Sequence, residues 1–154
     1  MTLPRHRQGE VREALASAGW RLDACRAGTY HAWTAPIEAP DHQAHARHSG
    51  LPHVQLLDVL LTDSDDETWI YRRDPRVTLP MGQARLIGAQ GLPHLAPEAV
   101  LLFKSRTAGR DPRGKDQRDF ARTLPTLKTE ARAWLEGALQ LTSPGHEWLA
   151  ALVN

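Results

Sequence analysis

The chain has 154 residues, a length typical of one domain, and folding would bury roughly two-thirds of the surface that an unfolded chain exposes. Its 19 lysines and arginines nearly balance 18 aspartates and glutamates, so the net charge of +1 provides no field that would attract nucleic acid. The single cysteine, Cys25, excludes an internal disulfide bond and a four-cysteine zinc site, and it favours a reducing compartment.

The N-terminal residues do not have the pattern of a targeting signal. Residues 1–7 are basic, but no apolar run follows them. Nor does any segment approach the ~18 apolar residues that a membrane-spanning helix needs. We therefore expect a cytoplasmic protein that is neither exported by a signal peptide nor inserted in a membrane.

The first half of the sequence predicts one helix followed by strands. Apolar residues recur at three- and four-residue spacing from Gln8 to Ala18, which indicates an amphipathic helix, and Gly19 would end it. Alternating or continuous apolar runs then predict strands at residues 20–26, 29–33, 43–48, 54–61 and 69–73. The run at 54–61 is the most apolar of the chain, so we expect a buried strand there, and we expect the later strands to form a meander.

The second half of the sequence predicts helices. Pro97 suits the first turn of one helix, and Asp116 could cap the next, which would reach Leu124. Residues 130–141 carry an apolar face, and residues 147–153 form a last short helix. Trp134 and Trp148 are expected to be packing residues.

This order of elements indicates an α+β fold, because strands come first and helices afterwards. We expect a mixed or antiparallel sheet of about five strands, an N-terminal helix, and a C-terminal group of three to four helices. We expect one domain over residues 1–154, with a sheet part at about 8–90 and a helical part at about 96–153.

Asp58 is the sharpest candidate for chemistry, because a carboxylate is least expected inside a buried strand. Phosphoryl and nucleotidyl transfer needs carboxylates on a rigid strand to hold magnesium against the phosphates. One carboxylate does not make a site, and the alternative is an aspartate at the sheet edge or one paired with Arg72 or Arg73. The pattern alone favours this structural alternative.

Two further clusters have structural alternatives. The Asp63–Asp65 triplet has Asp-x-Asp spacing, but its place in a predicted turn favours hydrogen bonds to nearby backbone amides. Four histidines lie close together in the sequence, at positions 42, 45, 48 and 53. They could form a transition-metal site, but a strand places residues three apart on alternate faces, so we expect exposed polar positions instead.

A mixed-charge stretch lies at the junction of two predicted helices. It contains Lys104, Ser105, Arg106, Arg110, Arg113, Lys115, Asp116 and Asp119. Cations near a helix N-terminus could bind a triphosphate. The pattern alone favours a solvated, salt-bridged loop.

Five segments form an ordered series along the chain. They are Trp69–Arg76, Gly91–Glu98, Leu101–Lys104, Lys115–Phe120 and Pro144–Leu149. This series resembles the bacterial aminoglycoside-type nucleotidyltransferases, and the order of the segments is far more specific than any one of them. The resemblance runs from about Gln8 to nearly the C-terminus.

The resemblance implies a fold, an activity and roles for three residues. It implies a mixed sheet with flanking helices, an ATP-type nucleotide with Mg²⁺, and transfer of a nucleotidyl group to a hydroxyl of a small molecule. It gives Asp58 the position of the family's third active-site carboxylate, which would ligate the metal or act as general base toward the hydroxyl. It places Lys104 and Lys115 in a helical motif from which they could contact the nucleotide phosphates.

The sequence departs from the family pattern at its N-terminal end. The family's upstream part, a Gly-containing helix start followed by a strand with Asp-x-Asp, is absent before Gln8. Two metal carboxylates and a glycine-rich phosphate contact would then be missing from this nucleotidyltransferase-like domain. We therefore expect little or no transferase activity.

Three hypotheses follow from this departure. A shortened scaffold would expose an apolar edge, and it would form a homodimer or bind a partner that covers the missing segment. A non-catalytic nucleotide- or ligand-binding or protein-interaction module would use the old cleft, with Lys104 and Lys115 as anion contacts. An active enzyme would need another chain to supply the carboxylates.

Overall fold

A computed structural model describes residues 1–51, 53–105 and 112–153. The chain divides into two compact units, Met1–Arg73 and Asp74–Asn154.

The first unit is built on a five-stranded mixed sheet. Its strands are β1 (Thr2–Pro4), β2 (Arg21–Arg26), β3 (Thr29–Ala32), β4 (Gln43–Arg47) and β5 (Leu56–Thr62). They lie in the order β1-β5-β4-β2-β3, and every neighbouring pair is antiparallel except β1 and β5, which are parallel. A further short strand, β6 (Thr68–Ile70), is not part of this sheet.

One face of the sheet is covered by helix α1 (Gln8–Ser17). The apolar residues of α1, Val11 and Leu15, pack against a core that includes the strand residues Ala24, Ala44, Val59 and Leu61 and the loop residues Trp33 and Ile37. Because successive strand residues point to opposite faces, the residues between these core positions lie on the other face. That second face is polar and partly exposed.

The strands of the first unit add one strand that the sequence did not predict and correct two sequence predictions. The strand β1 lies at the sheet edge and has only three residues. A strand this short does not show a recognisable alternation of apolar and polar residues. The run at 54–61 is half-buried rather than fully buried, because Val59 and Leu61 face the core while Leu56 is 53% exposed. The segment at 69–73 does not extend a meander, since β6 lies outside the five-stranded sheet.

The second unit is mainly helical. It contains β7 (Thr78–Pro80), α2 (Met81–Ala84), β8 (Arg85–Ile87), β9 (Pro93–Leu95), α3 (Pro97–Lys104), α4 (Gly114–Thr123), α5 (Thr129–Thr142) and α6 (Leu149–Leu152). The strands β8 and β9 pair in antiparallel register. Helix α3 packs against α4 and α5, and buried leucines of α3 and α5 form the core: Leu101, Leu102, Leu135 and Leu139.

Two details of the helices differ from the sequence predictions. Asp116 is not an N-cap, because α4 begins at Gly114 and the capping position is occupied by Arg113. The predicted apolar face of α5 is rotated, so that Leu139 is fully buried while Leu141 is 49% exposed. The packing role expected of Trp148 is confirmed, since this residue is only 2% exposed.

The α+β prediction is confirmed. The protein has a five-stranded mixed sheet, an N-terminal helix and the C-terminal helices α3 to α6. Within the described ranges, none of the helices is both long and apolar enough to cross a membrane.

The buried side chain of Gln8 generates a test of how α1 is fixed in the first unit. Its carboxamide accepts a hydrogen bond from the backbone N–H of Ile37 at 2.7 Å and donates one to the carbonyl oxygen of the same residue at 3.3 Å. Replacing Gln8 with Ala removes both bonds. The carbonyl oxygen of Ile37 keeps its bond from Arg5, but the backbone N–H loses its acceptor, which costs about 1–3 kcal/mol. Urea unfolding followed by circular dichroism should show that loss.

The matched control is Glu13→Ala, on the exposed side of the same helix. A surface substitution of this kind should change the free energy of unfolding by less than about 0.5 kcal/mol. Equal losses for the two variants would contradict the role given to Gln8.

Candidate functional site

The polar face of the sheet carries a row of charged and aromatic side chains. The strand register places Asp23 of β2 opposite His45 of β4, and His45 opposite Asp58 of β5. Two residues after Asp23, Cys25 of β2 lies opposite Gln43 of β4 on one side and opposite Tyr30 of β3 on the other. Since alternate residues share a face, pairing alone brings these side chains together.

Asp58 lies at one end of this row with a half-exposed side chain, 55% of which is accessible to solvent. Its Oδ1 atom is 3.0 Å from His45 Nε2 and accepts a hydrogen bond from Gln43 Nε2 at 2.9 Å. A carboxylate oxygen with two nitrogen atoms at hydrogen-bond distance has a well-defined position. The strand therefore presents the side chain of Asp58 to solvent. This position explains how a carboxylate can occur within an apolar run of sequence.

Tyr30 stacks on His45. The two ring centroids are 4.2 Å apart at an interplanar angle of 18°, and the phenolic oxygen lies 3.0 Å from His45 Nε2. Partial desolvation raises the pKa of Tyr30 above its usual value, and the charges of Cys25 and Asp58 act in the same direction. The phenol therefore keeps its proton at neutral pH and remains a hydrogen-bond donor.

One of the two ion-pair partners that the sequence suggests for Asp58, Arg72, has another contact. Arg72 lies 2.7 Å from His42 Nε2 through its NH1 atom. Asp58 instead contacts the amide of Gln43 and the imidazole ring of His45. The alternative of a structural salt bridge to Arg72 is therefore replaced by a hydrogen-bonded cluster on the face of the sheet.

The face does not fit a divalent-metal site as it stands. Mg²⁺ prefers several oxygen ligands. Asp58 contributes one carboxylate, and its close neighbours are an imidazole and an amide nitrogen. Among the residues that the structure describes, no group of three histidine, cysteine, aspartate or glutamate side chains could hold a metal ion. The assignment of Mg²⁺ to Asp58 stays a prediction.

The other histidines of the sequence cluster have separate partners. His42 Nδ1 lies 3.2 Å from the carbonyl oxygen of Pro40, and His48 Nδ1 accepts a hydrogen bond from the backbone N–H of Gly50 at 3.0 Å. The His48 ring also packs edge-on against Trp20. Of this cluster, it is His45 that contacts Asp58.

The acidic triplet after β5 forms a turn, as its sequence indicates. Asp65 Oδ1 accepts hydrogen bonds from the backbone N–H groups of Thr68 and Glu67, and these bonds lower the pKa of Asp65. Ser64 Oγ accepts a hydrogen bond from the N–H of Ile70. The side chains of Ser64 and Asp65 thus hold the backbone of the turn, whereas Asp63 pairs with Arg5.

Lys104 is the centre of an ion-pair network in the second unit. Its Nζ atom lies 2.6 Å from Asp119 Oδ2 and 3.3 Å from Asp116 Oδ1. Arg113 also pairs with Asp116, whose side chain is completely buried. The hydrogen bonds from Arg113 and then Lys104 lower the pKa of Asp116, and the bond to Asp119 raises the pKa of Lys104. The network joins α3 to α4.

The second predicted phosphate contact, Lys115, has a different setting. It lies in the first turn of α4 and is exposed to solvent. Within the described part of the chain it forms no ion pair, which leaves its ammonium group available for an anion. Arg106 and Arg110, named with it in the mixed-charge stretch, lie outside the described residues.

Aromatic and amide groups fix the C-terminal segment onto α4. Trp148 stacks on Phe120 with centroids 4.2 Å apart, and its indole N–H donates a hydrogen bond to Gln117 Oε1 at 2.5 Å. His146 Nε2 lies 3.0 Å from the carbonyl oxygen of Ser105. Two of the five segments, Lys115–Phe120 and Pro144–Leu149, therefore meet in one structural network, and these contacts give Phe120, His146 and Trp148 a structural role.

Comparison with known proteins yields no match to the chain among family models, curated proteins or solved structures.

The cluster around Asp58 was only partly accessible to sequence reasoning. The apolar residues around Asp58 make it stand out in the sequence. Nothing in the sequence links Tyr30, Gln43 or His45 to it. Their link is the register of β2, β3, β4 and β5, which a single sequence does not give.

The buried carboxylate of Asp116 generates a test of the network around Lys104. Asp116→Asn keeps the shape but removes the charge that faces Lys104 and Arg113, which costs about 1.5–3 kcal/mol. Urea unfolding at pH 7 should show this loss. The solvent-exposed Asp66→Asn is the matched control and should be close to neutral.

The same network should make stability fall in acid. The folded protein lowers the pKa values of Asp116 and Asp119, so below the usual carboxyl pKa of 3.8 the unfolded chain binds more protons than the folded one. Stability from these groups is present above that pH and is lost as the pH falls through the lower folded values. Between pH 7 and pH 3, Asp116→Asn should lose less stability than the wild type. An equal loss would contradict this account.

Proposed function

We propose that this protein is nucleotidyltransferase-like, with Asp58 on the open face of its sheet as its candidate catalytic carboxylate, and that the 154-residue chain by itself transfers no nucleotidyl group. The position of Asp58 carries the proposal. It is half exposed on a strand of a five-stranded sheet, and a side chain so placed can meet a ligand in solution.

The chemistry of Asp58 supports the first part of this proposal. Gln43 and His45 occupy Oδ1, while Oδ2 receives no hydrogen bond from any residue that the structure describes. An ionised carboxylate with one free oxygen can accept the proton of an attacking hydroxyl. The ordered series of segments that resembles the nucleotidyltransferases supplies the reaction class.

The absence of a carboxylate partner beside Asp58 supports the second part. Nucleotidyl transfer depends on metal ions that neutralise phosphate charge, and one carboxylate does not hold such an ion. No group of three candidate ligands occurs in the described ranges. Removing a single hydrogen-bond donor from an oxyanion hole costs about 2.7–4 kcal/mol of transition-state stabilisation, so losing the metal carboxylates should also cost several kcal/mol.

The alternative function is a non-catalytic nucleotide-binding module that uses Lys104 and Lys115. Lys104 gives it little support, because Asp116 and Asp119 already neutralise its ammonium group. Lys115 supports it better, since its exposed side chain is unpaired within the described residues. Lys115→Ala, with the exposed Lys128→Ala as control, would separate this function from one that depends on Asp58.

Nucleotide binding is the first test of the proposal. Calorimetric titration with ATP and Mg²⁺ should give weak binding to the wild type, with a Kd of about 1 mM. Asp58→Asn should weaken this binding at least ~3-fold, because it removes the carboxylate that can ligate a Mg²⁺ ion already held by the ATP phosphates. Asp66→Asn, an exposed aspartate of the same unit, should leave the affinity unchanged.

Pyrophosphate release is the second test. With ATP, Mg²⁺ and a panel of hydroxyl-bearing amino sugars, the wild-type chain should release no pyrophosphate above the buffer rate. Pyrophosphate release that disappears in Asp58→Asn would show that the chain is an active enzyme.

In the calorimetric titration, an equal ATP affinity of wild type and Asp58→Asn would show that Asp58 is not part of the nucleotide site.

A further inference from the structure

His45 stands between two groups that constrain its proton. Its Nε2 atom lies 3.0 Å from Asp58 Oδ1, and its Nδ1 atom lies 3.2 Å from the NH2 atom of Arg47. A guanidinium group can only donate hydrogen bonds, and an ionised carboxylate can only accept them. The two sides of the ring therefore face partners of opposite hydrogen-bonding character.

Only one form of the ring satisfies both partners. With the proton on Nε2, His45 donates to Asp58 while Nδ1 accepts from Arg47. With the proton on Nδ1, two donors would face each other at Arg47 and two acceptors at Asp58. A doubly protonated ring would again set two donors against each other at Arg47. The hydrogen-bond geometry selects the ring with its proton on Nε2 and none on Nδ1.

Arg47 is itself held in place. Its NH1 atom lies 2.6 Å from Asp23 Oδ2, and Asp23 is only 15% exposed. Arg21 contacts the same oxygen at 3.2 Å but does not reach the histidine. The register that places Asp23 opposite His45 also places His45 opposite Asp58, so the chain of contacts crosses three neighbouring strands.

We infer that His45 is a positioning residue for Asp58. Arg47, anchored by Asp23, fixes the histidine proton on Nε2, and that proton holds Asp58 Oδ1. This role rests on the proposed function of Asp58 as the acceptor of a hydroxyl proton. Gln43 supplies a second donor to the same oxygen, and Oδ2 is thereby directed to the ligand.

Charged and titratable groups around the ring are consistent with this arrangement. Tyr30 lies against the ring face, with its hydroxyl 3.0 Å from Nε2, and Gln43 Nε2 is 3.4 Å from the same nitrogen. A protonated Nε2 cannot accept from Gln43, so the Gln43 amide donates to Asp58. The hydroxyl oxygen of Tyr30 can share the Nε2 proton with the carboxylate.

The experiment reads the proton directly by ¹⁵N NMR of the histidine ring, on the ligand-free protein at a single neutral pH. The two ring nitrogens are distinguished by which of them carries hydrogen. The wild type should show His45 with Nε2 protonated and Nδ1 bare. In Arg47→Ala, both ring ¹⁵N shifts should move toward the values of a histidine that exchanges between its forms.

Arg21→Ala is the matched control, because it removes an arginine from Asp23 without touching His45. Its His45 shifts should equal those of the wild type. A wild-type ring protonated on Nδ1, or identical shifts in Arg47→Ala and Arg21→Ala, would overturn the inference. Since no nucleotide is present, this result is independent of the calorimetry. Loss of ATP binding with an intact Nε2 proton would remove the proposed function and leave the hydrogen-bond chain in place.

Discussion

The two-residue period of the strands is the constraint on which the first unit depends. One set of alternate residues, including Ala24, Ala44 and Val59, packs under α1. The other set, with Asp23, His45 and Asp58, must then face away from this core. A shift of one residue in the register would bury the charges and expose the apolar side chains. The packing of the core thus determines the polar cluster, although no cluster residue belongs to it.

The second unit uses charge in a different way. Its network is built around Asp116, which has no exposed surface and is compensated by two cations. A buried charge without partners would be strongly unfavourable, so the network constrains which helices can lie together. Lys104 and Lys115 come from the same stretch of sequence, yet one is committed to structure and the other is exposed to solvent.

Elements with a strong local pattern could be predicted from the sequence, and elements defined by long-range pairing could not. The helices at 8–17, 97–104 and 129–142 follow apolar spacing that one sequence reveals. The strand β1 is recognisable only through its pairing with β5. In the same way, Asp58 stood out as an unusual residue, whereas its contacts with His45 and Gln43 depend on a register that composition does not encode. The sequence predicts a salt-bridged loop around Lys104. The buried side chain of Asp116 shows that these ion pairs also belong to the packing of the helices.

The Lys104–Asp116 ion pair joins two residues twelve positions apart, at the end of α3 and the beginning of α4. It fixes the two ends of the connection between these helices from outside the connection itself. A contact between residues this close in sequence closes only a short loop, so its cost in conformational entropy is small. The pairing of the end of α3 with the beginning of α4 is thus a local contact, of the kind that can form early while a chain folds.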